Sequence, residues 1–183
     1  MQLHWSHAAI YVHDLERMLA FYSTILGFQV TDRGPLGDGA PEIVFLSQDP
    51  DEHHQLAMIH GRQEVAPSNS AHHFSFRTGA FADIRALHEQ LREREGIKVL
   101  PLSHGNTLSL YFNDPEGNGI EVFWDTPWHV AQPQGEPWDI SMDEAQALAW
   151  VVETFSSAPG FQPRDDYYAQ RRLSVAAATQ AVP

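Results

Sequence analysis

The chain contains no cysteine. This excludes disulfides, thiolate metal sites and a cysteine nucleophile, and it agrees with a reducing cytoplasm. Lysine is nearly missing too: Lys98 is the single one among 11 basic residues, set against 24 acidic ones. The net charge of -13 describes a surface that repels nucleic acid and anionic membranes, so neither is expected as a partner. No apolar run approaches the roughly 20 residues of a spanning helix, and no signal-peptide pattern opens the chain; a cytoplasmic protein is the expectation. What is present is ordinary globular material, 183 residues with 43% hydrophobic and 19% charged side chains, enough for one domain or two small modules sharing a core. Histidine alone is in excess. Its 11 copies equal all Lys and Arg together, and it is the side chain suited to proton transfer and metal binding near neutral pH.

Residues 4–13 (HWSHAAIYVH) alternate in polarity and carry β-branched and aromatic side chains, which predicts a strand. Asp14 can cap the following helix, in which Leu15, Met18, Leu19, Tyr22, Ile25 and Leu26 recur at helical spacing before Gly27 ends it. Strands are predicted over 28–33, 42–48 and 55–60. The same order then returns: a strand over 72–78, a helix over about 80–95 with Phe81, Ile84, Leu87 and Leu91 on one face, and strands over 97–101, 107–113 and 118–124. The last two are joined by a turn at Asp114-Pro115-Glu116-Gly117. The expected fold class is therefore α+β, with two tandem βαβββ modules (1–66 and 67–126, a polar linker near 62–70) whose sheets pair into one domain around a cavity. Residues 127–183 form an extension: an irregular strap over 127–137, a helix over about 141–156 started by a Ser141/Glu144 capping box, and a mobile last dozen residues.

Three residues stand out in this frame. His7 and His73 open the first strand of each module, and Glu121 lies on the last strand of the second. A lone strand histidine is more often a satisfied packing residue, and a lone edge-strand glutamate a solvated one. Their joint placement in a duplicated frame points instead to a metal. Two imidazoles and a carboxylate suit Fe(II), Mn(II) or Zn(II), and leave positions open for a chelating substrate and O2. Carrying the His7-to-His73 interval back from Glu121 leads to position 55, where the chain reads His53-His54-Gln55. The acid of a four-ligand site is missing there, and His54 becomes a candidate general acid/base. His104 and Tyr111 complete the set, each with a bland alternative as a loop residue and as half-buried packing.

The paired βαβββ pattern with His7, His73 and Glu121 resembles the vicinal oxygen chelate superfamily, which includes glyoxalase I, fosfomycin-resistance proteins and type I extradiol dioxygenases. The stretch His104-Gly105, Thr107, Tyr111-Phe112, Asp114-Pro115, Gly117-Asn118 and Glu121 is similar to the extradiol signature, and His53-His54 and the strap TPWHVAQPQGEPWDIS resemble segments of the same group. The resemblance implies iron ligands at His7, His73 and Glu121, an acid/base histidine at His54, a histidine behind the ligands at His104, and a partner for a substrate hydroxyl at Tyr111. With one pair of modules rather than two, the chain would be a single-domain variant. It implies an enzyme of the biphenyl-2,3-diol 1,2-dioxygenase or catechol 2,3-dioxygenase type, acting in aromatic catabolism on a catechol-type substrate and O2 with Fe(II) or Mn(II). Homo-oligomers would be compatible with it. Two rivals are a glyoxalase-like isomerase or thiol transferase, which would want a fourth carboxylate, and a metal-free drug-sequestering protein, which would have no use for the His/His/Glu set.

Overall fold

In a computed structural model, which describes residues 5–63 and 71–180, the chain runs β1 (Ala8–Val12), α1 (Leu15–Thr24), β2 (Gln29–Pro35), β3 (Glu42–Ser47), β4 (Leu56–His60), then β5 (Phe74–Arg77), α2 (Phe81–Arg92), β6 (Leu100–Ser103), β7 (Thr107–Asn113) and β8 (Gly119–Asp125). The four strands among the first five elements form one sheet of order β1-β4-β3-β2, in which β1 and β4 run parallel. The second five repeat it as β5-β8-β7-β6, with β5 parallel to β8. Each module is thus a strand, a helix and a returning meander whose last strand lies beside its first. The architecture is α+β. The extension adds β9 (Trp128–His129), β10 (Glu136–Pro137), α3 (Glu144–Phe155), β11 (Gln162–Pro163) and α4 (Arg164–Gln180).

The chain divides into two units, one of Met1–His73 with Asn113–Gly119 and one of Phe74–Phe112 with Ile120–Pro183. In the first, the Asp14 carboxylate caps α1 by accepting from the Arg17 amide at 3.0 Å, a bond contributing about 1 kcal/mol. The α1 stripe Leu15, Met18, Leu19 and Tyr22 is buried, with Met18 and Tyr22 fully enclosed. The turn after β7 is fastened here by two acids. Glu116 Oε1 accepts from the His13 and Asp14 amides at 2.7 and 2.8 Å, and Oε2 meets Arg62 at 3.4 Å, with both side chains 5% exposed. Asp114 Oδ2 accepts from the Asn118 amide group at 2.7 Å and from the Tyr22 hydroxyl at 3.3 Å. Burial pushes both the Asp114 carboxyl and the Tyr22 phenol upward in pKa, which keeps Tyr22 a donor.

In the second unit, Phe81, Ile84, Leu87 and Leu91 form the buried face of α2, the face read from periodicity. The extension is built into this unit. β10 pairs with β6, and β11 with β9. Trp138 donates its indole N–H to the Ser109 carbonyl at 3.2 Å, and α3 buries Ala147, Val151 and Phe155. The backbone at Gly105, in the left-handed region at φ +76, passes so close that a Cβ there would lie 2.5 Å from Val130 Cγ1 and 3.2 Å from the Phe155 ring. Only glycine fits. The His129 and Tyr167 rings stack at 3.4 Å, and Arg164 pairs with Asp125 at 2.8 Å, fixing the start of α4.

Several expectations are corrected. The strand placed at 97–101 is Leu100–Ser103, because its register is set by antiparallel pairing with β7 rather than by the β-branched Ile97 and Val99. The Ser141/Glu144 capping box is replaced by one at Asp143 and Gln146, with both reciprocal bonds formed at 2.8 and 2.9 Å. The strap carries two short strands, and the tail expected to be mobile is helical through Gln180, as its alanine content favours. The expected linker lies, from residue 64 to 70, outside the described residues, as do the start of the first predicted strand at residue 4 and the final residues 181–183. No helix among the described residues is long and apolar enough to cross a membrane.

Candidate active site

Two groups of the predicted residues are assembled, one in each unit. In the first unit, His7 directly precedes β1 and His54 lies just ahead of β4, and the parallel pairing of those strands brings their rings to a centroid distance of 4.3 Å. The His54 ring also packs on Phe45 at 4.8 Å, and its Nδ1 lies 2.9 Å from Nδ1 of His53. Burial, followed by the repulsion of His7 and His53, holds the His54 pKa below that of an ordinary histidine. His54 therefore rests as the neutral base. Nδ1 of His7 faces the Ser6 hydroxyl at 3.2 Å, and Nδ1 of His73 faces that of His72 at 2.6 Å. The backbone of this histidine pair is crowded by Gly119, where a Cβ would sit 2.4 Å from the His72 carbonyl oxygen and 3.1 Å from His73 Cβ.

In the second unit, neighbouring strands β7 and β8 bring Tyr111 and Glu121 together. The Tyr111 hydroxyl donates to Glu121 Oε1 at 2.7 Å, and the Ser75 hydroxyl donates to Oε2 at 2.6 Å from the paired position on β5. His104 Nε2 lies 2.8 Å from the Tyr111 hydroxyl, and Nδ1 lies 2.5 Å from the Gln134 carbonyl oxygen. A carbonyl only accepts, so Nδ1 of His104 carries a hydrogen. Burial first, then the bond and charge of Glu121, pushes the Tyr111 phenol upward. Tyr111 stays protonated and remains a donor. The Glu121 carboxylate is 7% exposed, and a charge buried so far needs these partners.

Ser75 was not singled out in the sequence. The available signal was strand alternation, which puts it on the same strand face as His73. Gln132 and Gln134, which hold His104 from the strap, carry no local signal at all. The repeat is also read more accurately from the pairing than from a single interval. Ser75 pairs with Glu121, and its counterpart Ala9 pairs with Ala57. The first-module position equivalent to Glu121 is therefore the buried Ala57, not position 55, and it offers no oxygen ligand. Two imidazoles and a carboxylate whose oxygens are both held by hydroxyl donors are chemically suited to a divalent first-row metal. Among the described residues, no group of three or more His, Asp or Glu side chains converges closely enough to hold an ion as it stands.

With strand order, helices and side chains in place, the class is defined. The description Glyoxalase/Bleomycin resistance protein/Dioxygenase superfamily matches residues 4–122, and the chain belongs to that family. Biphenyl-2,3-diol 1,2-dioxygenase 2 of Rhodococcus globerulus is 24% identical over 183 residues, covering 85% of this chain and 93% of that protein. Biphenyl-2,3-diol 1,2-dioxygenase 3 of the same organism is 30% identical over 163 residues, covering 86% of this chain and 77% of that protein. The solved structure of the fosfomycin resistance protein FosX from Listeria monocytogenes, complexed with Mn(II) and sulfate ion, superposes with a TM-score of 0.53 at 19% identity, over 69% of this chain and 95% of that one. It shares the fold.

Proposed function

We propose that the protein is an extradiol ring-cleaving dioxygenase that inserts O2 into a catechol-type aromatic diol, with Fe(II) held by His7, His73 and Glu121; Mn(II) suits the same donors. The observation that carries this reading is the bonded chain His104–Tyr111–Glu121–Ser75, which sets a protonated phenol beside the carboxylate assigned to the metal. Similarity to two proteins named as biphenyl-2,3-diol dioxygenases supports it. Bound Fe(II) would favour the ionised form of a coordinated phenol and supply the redox chemistry with O2. The remaining work falls to the protein. His54, neutral and beside His7, accepts a catechol proton and later returns it. Tyr111 turns its single hydroxyl proton from Glu121 to an ionised substrate oxygen, a charge-assisted contact worth about 1.5–3 kcal/mol. His104 holds Tyr111 in place. Both atoms of O2 enter the ring-opened product, so no further reductant is consumed.

A glyoxalase-like isomerase is disfavoured because Ala57 occupies the place of the fourth carboxylate. A metal-free binder leaves the set of His7, His73 and Glu121 without a common use. Two measurements separate these readings. Mn(II) at about 100 times its Kd should raise stability by about 2.7 kcal/mol in thermal melts, and Glu121→Ala should abolish the gain. Anaerobic Fe(II) loading followed by a panel of substituted catechols and air should yield a yellow ring-opened product. Iron-loaded protein that cleaves no catechol would overturn the dioxygenase reading. A melt unmoved by metal would overturn the metal site.

A further inference from the structure

The strap after β9 does more than cover the second module. Gln132 is exposed, yet both ends of its carboxamide are engaged around one histidine. Its Nε2 donates to the His104 backbone carbonyl at 2.8 Å, and its Oε1 accepts from the Gln134 backbone N–H at 3.0 Å. Gln134 is the residue whose carbonyl receives the His104 Nδ1 hydrogen at 2.5 Å. One amide therefore grips the backbone that carries the imidazole and the peptide that reads its Nδ1. The strap is itself anchored beside this point. The Val130 amide donates to Asn106 Oδ1 at 2.6 Å, Thr126 Oγ1 donates to the Gly105 carbonyl at 2.6 Å, and Val130 packs against Gly105.

We infer that Gln132 is a positioning residue for His104: its carboxamide fixes the ring orientation that keeps Nδ1–H on the Gln134 carbonyl, and with it the place of Nε2 beside the Tyr111 hydroxyl. The part concerning orientation holds for the protein without metal or substrate. The consequence for turnover rests on the dioxygenase reading. Gln134 provides an internal comparison, because among the described residues its side chain bonds the Ala131 carbonyl, at 3.0 Å, while its backbone carbonyl does the gripping. Both glutamines tie down the strap. Of the two side chains, it is that of Gln132 that bonds the backbone of His104.

The test is imidazole nitrogen and proton NMR of the metal-free, full-length protein labelled at histidine, in wild type, Gln132→Ala and Gln134→Ala. The wild type and Gln134→Ala should show the same slowly exchanging Nδ1–H signal for His104. In Gln132→Ala that proton should exchange with water at least about tenfold faster, because a bond held at one end opens more often. On iron-loaded enzyme Gln132→Ala should lower kcat about 3- to 10-fold with KM within about twofold, as expected when orientation rather than substrate binding is lost. An unchanged His104 signal in Gln132→Ala, or an equal loss in both variants, would overturn the assignment, since the second outcome reports general loosening of the strap. If no variant, wild type included, turns over a catechol, the dioxygenase reading fails while the NMR comparison still decides the role of Gln132.

Discussion

Gly119 begins β8 where the chain passes the backbone of His72 and His73, and replacing it by alanine tests whether that approach holds His73, a proposed metal ligand, in place. The new methyl carbon would lie 2.4 Å from the His72 carbonyl oxygen and 3.1 Å from His73 Cβ, whereas ordinary contact begins near 3.4 Å. Because the nearer obstacle is backbone, no rotamer change relieves it. The peptide at 72–73 must retreat by about 1 Å, and overpacking of this kind costs about 1–3 kcal/mol. A metal site tolerates ligand displacements of only about 0.2 Å, so a shift of that size at His73 should also weaken metal binding about 10- to 100-fold, the effect usual for a lost orienting contact. Gly79→Ala is the control, since nothing lies within 4 Å of a Cβ there, and its stability should stay within about 0.5 kcal/mol of wild type. Urea denaturation measures the first quantity, and calorimetric titration with Mn(II) the second. Wild-type stability in Gly119→Ala would refute the steric argument. Lowered stability with unaltered Mn(II) affinity would refute the link from Gly119 through His73 to the metal.

Three further substitutions probe other contacts. Tyr111→Phe keeps the ring and deletes the hydroxyl that bonds Glu121; turnover should fall about 10- to 100-fold at normal metal content, and wild-type kcat in a steady-state assay would reduce Tyr111 to packing. His54→Ala should retain metal, checked by elemental analysis, yet lose about 10²–10⁴ in kcat; loss of the metal instead would make His54 a ligand. Glu116→Ala removes the carboxylate that pairs with the buried Arg62 and that accepts from the His13 and Asp14 amides, so chemical denaturation should show a loss of about 3–5 kcal/mol, and a loss below about 1 kcal/mol would show that solvent replaces the carboxylate.

Legibility in the sequence followed the range of the forces involved. The α1 and α2 stripes were readable because period alone selects the buried face, and the hairpin reading already set Tyr111 near Glu121, where the structure has them bonded. The start of α3 was not readable, because Ser141/Glu144 and Asp143/Gln146 both satisfy the same box pattern and only the folded backbone chooses between them. The counterpart of Glu121 was misplaced by the single interval taken from His7 and His73. Loops differ in length between the modules, so an offset valid at the first strand fails by the last, and Ala57 emerges only from the pairing of β1 with β4. Ser75 and Gln132 depend on partners distant in the chain. No local pattern announces a serine that supports a carboxylate across a sheet, or a glutamine that steadies a histidine from a strap.

The two-residue strand β10 has a consequence for the molecule in company. It lies on β6, antiparallel, with Glu136 opposite Ser103 and Pro137 opposite Leu102. An open β6 would offer its backbone as a template to any extended chain passing by. β10 occupies that template, and Pro137 brings no N–H of its own to extend the ladder. Glu136 adds a charge at the same margin, in a protein that already carries -13. A chain ending before residue 136 would open that border and also strip Trp138 and α3 from the core of this unit, so shortened versions should clump at high concentration even though every proposed ligand is kept.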